Sequence, residues 1–327
     1  GGGASYTYER AMSVSSVWPS RVLSEGGTPL TVRGSGFSSV SESLGYAVCR
    51  VGASAARRAA WASATWLVCN STRSAAGEAR VEVSGNAREY TSDAARLQLV
   101  SVRVVDAQPW GGPQRGATVV SVRARGALVG GVLCRFGASA ASAAAWSAGA
   151  SRLRCVTAAS AASGWAGVQL SSAHGGVSSG GSFYYHADLH ASGTAPPLGP
   201  ERGGTRVTVL GGGFRDAYTL RCAFGSSAAP VLARYVDEAQ LECSTPILRP
   251  GVRSVLLSMN GQQYAPSGVA FTYQSAASVS YVSPATVLSE GGTPVTVHGD
   301  GFSSSSEALG VLTCRIGGAV RRAVWAS

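Results

Sequence analysis

The chain contains no lysine: all 27 basic residues are arginine, against 17 acidic residues and four histidines, for a formal net charge of +10. Isoleucine is nearly absent, represented only by Ile247 and Ile316. Beside 52 alanines, 47 serines and 43 glycines, both absences match the amino-acid usage of a GC-rich coding sequence, so composition alone accounts for the basic balance. Net charge of this kind bears on solubility and association, and only a concentrated patch would speak for nucleic acid. Apart from the doublets Arg57-Arg58 and Arg321-Arg322, the arginines are dispersed. Charge is scarce at 13%, yet 45% hydrophobic residues is too many for a disordered polymer, and the glycines carry no collagen-like period. The longest uncharged stretch, 155–187, is rich in Ser and Gly and lacks the roughly 20 consecutive apolar residues of a membrane helix. No basic segment followed by an apolar one opens the chain, so no signal peptide is visible.

What is present is repetition. VLSEGGTPLTVRGSGFSS at 22–39 returns as VLSEGGTPVTVHGDGFSS at 287–304, with ERGGTRVTVLGGGF at 201–214 and a degraded QRGATVVSVRARGAL at 114–128 between them. The cysteines follow the copies. Cys49, Cys134, Cys222 and Cys314 each come after the Gly-rich turn, at intervals of about 85 to 92 residues. Second cysteines follow 20 or 21 residues later at Cys69, Cys155 and Cys243, and Trp61, Trp146 and Tyr235 stand between the pairs, as Trp325 stands after Cys314. The recurrence predicts disulfides Cys49–Cys69, Cys134–Cys155 and Cys222–Cys243, with the partner of Cys314 beyond Ser327. Closing a loop of 20-odd residues contributes about 3 kcal/mol by restricting the unfolded chain. The aromatic between the cysteines is expected across the core or against the sulfurs.

Alternation of Leu30 and Val32 with Thr31 and Arg33, and of Val207 and Val209 with Thr208, has the period of a strand with one buried face. Val81 and Val83, Val168 and Leu170, then Leu97 and Leu99, Phe183 and Tyr185, Phe271 and Tyr273 repeat it later in each copy. Asn260-Gly261 is a hairpin signal. The Ala-rich stretch 137–150 has helix propensity, but it aligns with an interval that lacks the Ala run in other copies and reads as loop and short strand. Gly-x-Gly at 34–36, 211–213 and 299–301 is expected to bend so that Phe37, Phe214 and Phe302 fold back over an open end of the core. Short strands and turns in a unit of about 90 residues predict a two-sheet sandwich.

The glycine-rich GGTxVTVxGxGF phrase, C-x-x-G after it, Cys243-Ser244-Thr245-Pro246 and a closing F-x-Y resemble the IPT/TIG domains, immunoglobulin-like modules of plexins, fibrocystin-like ectodomains and some transcription factors. Copy two departs, with Gly116-Ala117 for Gly-Gly and Ala127-Leu128 for Gly-Phe. The resemblance implies an all-β fold of tandem immunoglobulin-like sandwiches in an elongated array. Residues 1–10 are expected to be the C-terminal strand of a preceding repeat, with repeat 1 over 11–100, a divergent repeat 2 over 101–186, repeat 3 over 187–274 and a truncated repeat 4 over 275–327. Paired cysteines and the family imply an extracellular location. The sequon Asn70-Ser71-Thr72 is an N-glycan acceptor.

Chemistry that requires particular side chains does not recur. His186, Asp188 and His190 alternate as strand metal ligands would, but occur once, at a junction. Gly176-Val177-Ser178-Ser179-Gly180 has the letters of a nucleophile elbow without the strand-turn-helix setting. The Gly-x-Gly pairs lack a dinucleotide fingerprint's third glycine and helix. No catalytic residue, metal ligand or cofactor is therefore expected. The expected function is a non-catalytic extracellular structural or adhesion array that presents surfaces to protein or glycan partners. Its alternative is the ligand-binding ectodomain of a membrane receptor, with a carbohydrate-binding accessory module or a DNA-binding module behind. Partners are other repeats of a longer protein and an extracellular protein or acidic glycan, with no nucleic acid and no membrane span. The loops bearing Arg57, Arg58, Arg321 and Arg322 are the interaction candidates, because guanidinium pairs with carboxylate or sulfate.

Overall fold

The computed structural model describes residues 10–93, 95–126, 131–146, 152–225 and 230–326, so the strand expected over 1–10 lies, but for Arg10, outside the described residues. The chain divides into two compact units, Gly1–Tyr185 and His186–Ser327.

In the first unit the alternating apolar residues form strands β1 (Ser13–Trp18), β2 (Arg21–Leu23) and β3 (Pro29–Ser35), a one-turn helix α1 (Ser39–Ser43), then β4 (Val48–Val51), β5 (Arg57–Arg58), β6 (Ala60–Ser63), β7 (Trp66–Asn70), β8 (Gly77–Ser84) and β9 (Ala95–Val100). They assemble as two sheets, β1-β3-β7-β6 and β2-β9-β8-β4-β5. All pairs are antiparallel except β2 with β9. The inward residues Leu30, Val32, Leu67, Val81 and Leu97 have no more than 2% of their surface exposed and make one core between the sheets. A second sandwich follows in the same order, with sheets of four and five strands from Arg103–Gln108 to Gly175–His186. The two sandwiches share apolar packing: Leu23 and Val100 belong to the core of the second. At this joint Gly175 and Gly176 lie against the backbone of Gly26–Thr28, and the His174 ring meets the Trp18 ring edge-on at 4.8 Å.

In the second unit the same plan appears as one eight-stranded sheet order, because Val231–Asp237 is continuous. Its first residues pair with Arg221–Phe224 and the rest with Gln240–Ser244, so one strand covers the roles of β5 and β6. Beyond it, Ser278–Ser283 pairs with Thr296–Asp300 and Thr313–Ile316 with Ala319–Arg322. The only helices among the described residues are α1 and its counterpart Ser304–Ala308. Ser38 and Ser303 cap them, accepting from Val40 N and Ser305 N, and Gly45 and Gly310 close them at φ +77° and +66°.

The Gly-x-Gly bend has a specific cause. Each opening strand bulges, between Val14 and Ser16, Val104 and Asp106, Ala191 and Gly193, and Val279 and Tyr281. The bulge brings a carbonyl against the first glycine: a Cβ at Gly34, Gly211 or Gly299 would overlap the oxygen of Ser13, His190 or Ser278, whereas the second sandwich has Ala124 at that place, opposite Val104, and its Gly126, at the second glycine's place, stands against Ser101 O. The rings of Phe37 and Phe214 fold back beneath Gly34 and Gly211 and are buried. Asn260-Gly261 does sit in a hairpin, between the antiparallel strands Gly251–Ser258 and Ala265–Gln274, but not as a two-residue turn. Asn260 heads a longer loop, its Oδ1 accepting from Gln262 N and Gln263 N at 2.9 and 3.2 Å, as Asn86 Oδ1 does from Arg88 N and Glu89 N. Of the Ala-rich stretch, Ser142–Ala143 and Ala145–Trp146 are strands, and 147–150 lie outside the described residues.

Candidate functional site

The cysteines occupy strands that face each other across the core. Cys49 on β4 is joined to Cys69 on β7, one strand from each sheet, with Cα atoms 6.1 Å apart. Cys134–Cys155 and Cys222–Cys243 repeat this at 6.0 and 6.4 Å, and all six residues are buried. Cys314 lies on Thr313–Ile316 without a disulfide partner among the described residues. Trp61 stands at the margin of the core, half-buried on β6, and its indole N–H donates to Phe37 O at 3.3 Å. It packs against the buried cluster that contains Cys49 and Cys69, as expected of an aromatic placed between the cysteines.

One device passed unread in the sequence. Two residues after each second cysteine stands a hydroxyl, Ser71, Thr157 or Thr245, which accepts the backbone N–H of Thr28, Thr118 or Thr205 at 2.9, 3.1 and 3.0 Å. The same segment accepts from Gly27, Ala117 and Gly204 through its carbonyls, each at 2.8 Å. This clamp is why the first glycine of the pair is required: a Cβ at Gly26, Gly116 or Gly203 would stand 2.6 Å from the clamping backbone. The recurring Ser or Thr was the signal that could have revealed it. In the sequon, Asn70 is exposed at the end of β7, while Ser71 is occupied by this clamp.

The arginine doublets are not in loops. Arg57 and Arg58 form β5 and pair with Cys49 and Val48; Arg321 and Arg322 pair with Cys314 and Thr313 in the same register. Their backbones are committed to an edge ladder, and all four residues are exposed. The second arginine of each doublet lies over the glycine that ends the short helix: Arg58 Nη2 is 3.2 Å from where a Cβ of Gly45 would stand, and Arg322 Nη1 3.5 Å from that of Gly310.

Ser178 lies on the strand Gly175–His186, buried, and its hydroxyl donates to Val102 O. His186 is buried with Nδ1 2.7 Å from Ala187 O. Among the described residues no group of three His, Cys, Asp or Glu side chains is placed to hold a metal. A shallow cleft of about 680 Å³ in the third sandwich is lined by Arg206, Asp216, Tyr218, Leu232 and Tyr235; Glu242 at its side is paired with Arg234 at 2.7 Å. An aromatic trio also went unread: Trp110, Trp165 and Tyr184 meet on the second sandwich, with centroids 5.2 to 6.1 Å apart and Trp165 64% exposed.

A model of the IPT/TIG domain matches residues 12–98, 192–273 and 277–327, more than half of the chain. The chain belongs to the IPT/TIG domain family. The second sandwich falls outside the matched segments yet has the topology of the first, so this IPT/TIG chain repeats its fold where its sequence has diverged. No curated protein sequence matches it. Among solved structures it is similar to the extracellular region of plexin A4, at TM-score 0.40 and 16% identity over 83% of this chain and 25% of that one, and in a second structure at 0.39 and 14% over 80% and 33%. It is also similar to FdeC, an Escherichia coli adhesin, at 0.24 and 13% over 81% and 96%. The chain thus spans a quarter to a third of the plexin chains it matches. Among the described residues no helix is long and apolar enough to cross a membrane.

Proposed function

We propose that this IPT/TIG chain is a non-catalytic extracellular array whose modules, 11–100, 101–186, 187–274 and 275–327, present their outer surfaces to a protein or acidic glycan. One observation carries the reading: the three features that hold the modules together recur as buried scaffold, whereas most outer positions differ, the exposed doublets Arg57-Arg58 and Arg321-Arg322 being the exception. The cysteine pairs and the hydroxyl clamp return in the first three modules, and the bulge glycine in the first, third and fourth. Buried cysteine pairs that span two sheets suit an oxidising compartment, and interaction residues sit on variable surface rather than in the repeated core. Asn70 is an exposed acceptor for an N-glycan, and Arg57, Arg58, Arg321 and Arg322 are exposed contacts for an acidic partner.

The test has three parts. Non-reducing peptide mapping is expected to recover the three pairs within modules; free thiols at all six positions would sink the compartment assignment. Mass analysis before and after enzymatic deglycosylation reads Asn70. A glycan array with a protein-interaction screen is expected to find a binder, while turnover in a hydrolase panel, lost on Ser178→Ala or His186→Ala, would overturn the non-catalytic reading.

A further inference from the structure

The charge of this chain is not evenly spread. Between residues 101 and 186 there are seven arginines and one acid, Asp106, so this module carries six of the ten net charges. The arginines look dispersed in sequence, but the sheet brings five of them together. Arg103, Arg123, Arg125, Arg152 and Arg154 lie on three adjacent strands, Arg103–Gln108, Val119–Arg125 and Arg152–Val156. Register sets Arg103 opposite Arg125, Arg123 opposite Arg152, and Arg154 opposite Ser121. Their strand neighbours Val104, Val122, Leu153 and Cys155 are buried in the core, so by alternation all five project from the outer face. Arg103, Arg123, Arg125 and Arg154 are exposed and Arg152 is half-buried. Steps of about 7 Å along a strand and about 5 Å between strands make a grid of positive charge. Only Asp106 offsets it, 2.6 Å from Arg123 Nη2, and Arg152 Nη1 lies 3.5 Å from Ser121 Oγ.

The fold does not ask for this grid. Like charges directly opposite across strands are destabilising. At the equivalent register positions the first module has Ser13, Ser35, Arg33, Trp66 and Val68, and the third has His190, Gly212, Leu210, Gln240 and Glu242. The first module does set Arg80 opposite Arg96 on its other sheet, but there Arg96 is paired with Glu78, and Arg50 with Glu82 beside it.

We propose that this face binds an acidic polysaccharide, the guanidiniums pairing with sulfates or carboxylates along the glycan. The proposal rests on the extracellular binding-array reading and names its surface and ligand. Guanidinium offers a planar fork of donors that fits both anions, and five cations with a single carboxylate among them match a ligand with repeated negative charge. None of the three strands that carry these arginines contains an aromatic residue, as base stacking on a nucleic acid would require. The buried cysteine pairs place the chain where the available polyanions are glycans.

The experiment measures binding of the whole chain to dextran sulfate, polygalacturonate, neutral dextran and a DNA duplex across a salt series. Binding to an acidic glycan that weakens with salt is expected, with none to neutral dextran. The R103S/R125S/R154V variant, which installs the residues of the first module, is expected to weaken it at least tenfold without lowering the melting temperature, since like-charged neighbours are removed. Arg57→Ala with Arg58→Ala is expected to change it less than twofold. Should the triple variant fail to fold, Asp106→Asn keeps every arginine and is expected to tighten binding at least twofold. Unchanged affinity in the folded triple variant, equal loss in the Arg57/Arg58 variant, no tightening by Asp106→Asn, or tighter binding to DNA than to either acidic glycan overturns the proposal. A native chain that ignores acidic glycans but binds a protein in the interaction screen defeats this inference alone, whereas catalytic turnover defeats the broader reading.

Discussion

The first and second sandwiches have the same two-sheet order, yet the family pattern matches one and passes over the other. The difference separates what the fold requires from what it tolerates. Both keep the cross-sheet cysteines, the hydroxyl clamp and the opening-strand bulge, though Ala124 stands in the second where Gly34 stands in the first. They part on the outside. Where β8 and β9 of the first carry Glu78 opposite Gln98 and Arg80 opposite Arg96, the second has Trp165 opposite Tyr184 and Gly167 opposite Ser182. Close approach and core volume constrain a small number of positions strictly, because interiors are close-packed, and leave the outer faces free to diverge.

The most severe way to break this comparison is at the bulge. Gly34→Ala places a methyl group on Ser13 O, held in the opening strand, and Gly126→Ala, at the second glycine's place, puts one on Ser101 O just before the opening strand of its sandwich. Both are expected to destabilise their sandwich by about 3 kcal/mol or more, measured by chemical denaturation. A tolerated Gly126→Ala would mean that the divergent sandwich had abandoned the shared bend.

Alkaline pH is expected to split the pair next. Tyr185 is buried in the second sandwich, its hydroxyl donating to Ala158 O at 2.9 Å, and burial raises its pKa above the ordinary 10. The first sandwich has Leu99 in the same register. In the third, burial pushes Tyr273 up to about 12. A raised folded pKa means that the stabilisation is fully present below pH 10, the unfolded value, and is lost as pH rises through the folded value. The second and third sandwiches should therefore lose stability from pH 10 towards 12, with Tyr185→Phe and Tyr273→Phe flattening the dependence. At neutral pH Tyr185→Phe is expected to cost about 1 kcal/mol for its hydrogen bond. Melting temperature against pH for the wild type and both variants reads this directly.

The buried half of the molecule was legible because it obeys short periods. Alternation at Leu30 and Val32 marked β3, and recurrence alone placed Cys49 against Cys69. What escaped depends on partners remote in sequence. Nothing local shows that Ser71 reaches Thr28, or that Trp110 meets Trp165 and Tyr184. The arginine doublets drew attention because they are adjacent, although adjacency on a strand sends side chains to opposite faces. Arg123 and Arg125, two apart, share a face and join Arg103, Arg152 and Arg154 only through strand pairing. A surface assembled across strands has no signature in a linear reading, whereas a core strand carries its own.

A gain should follow from repairing the strained turn of the second sandwich. Ala117 adopts φ +61° where Gly27 and Gly204 have +80° and +78°. Space is not the constraint, since a Cβ at Gly27 or Gly204 would meet nothing within 4 Å. The left-handed conformation is, costing a side-chain-bearing residue about 1–2 kcal/mol, against which glycine loses some tenths in the unfolded chain. Ala117→Gly is expected to stabilise by about 1 kcal/mol, and Gly27→Ala to cost a similar amount. No change in either would show that the clamp, not the residue, sets the turn.

The smallest effect tests whether the outer faces are interchangeable. In the first sandwich Arg50 lies opposite Glu82, with Nη2 2.7 Å and Nε 2.8 Å from Glu82 Oε2, and its guanidinium is 4.1 Å from the Tyr90 ring centroid. In the second, Arg135 lies opposite Gln169 in the same register. The pair in the first is partly exposed, so solvent screens it and the usual worth of such a bridge, about 0.2–1 kcal/mol, applies. Glu82→Gln is expected to lose about 0.5 kcal/mol at low salt and less as salt rises. Gln169→Glu, which supplies Arg135 with the missing carboxylate, should gain a similar amount, a gain that likewise shrinks as salt rises. Equal and opposite changes in melting temperature would mean that the faces differ in residues and not in backbone geometry. A loss in the first without a gain in the second would place the difference in the contact that Tyr90 adds beneath Arg50.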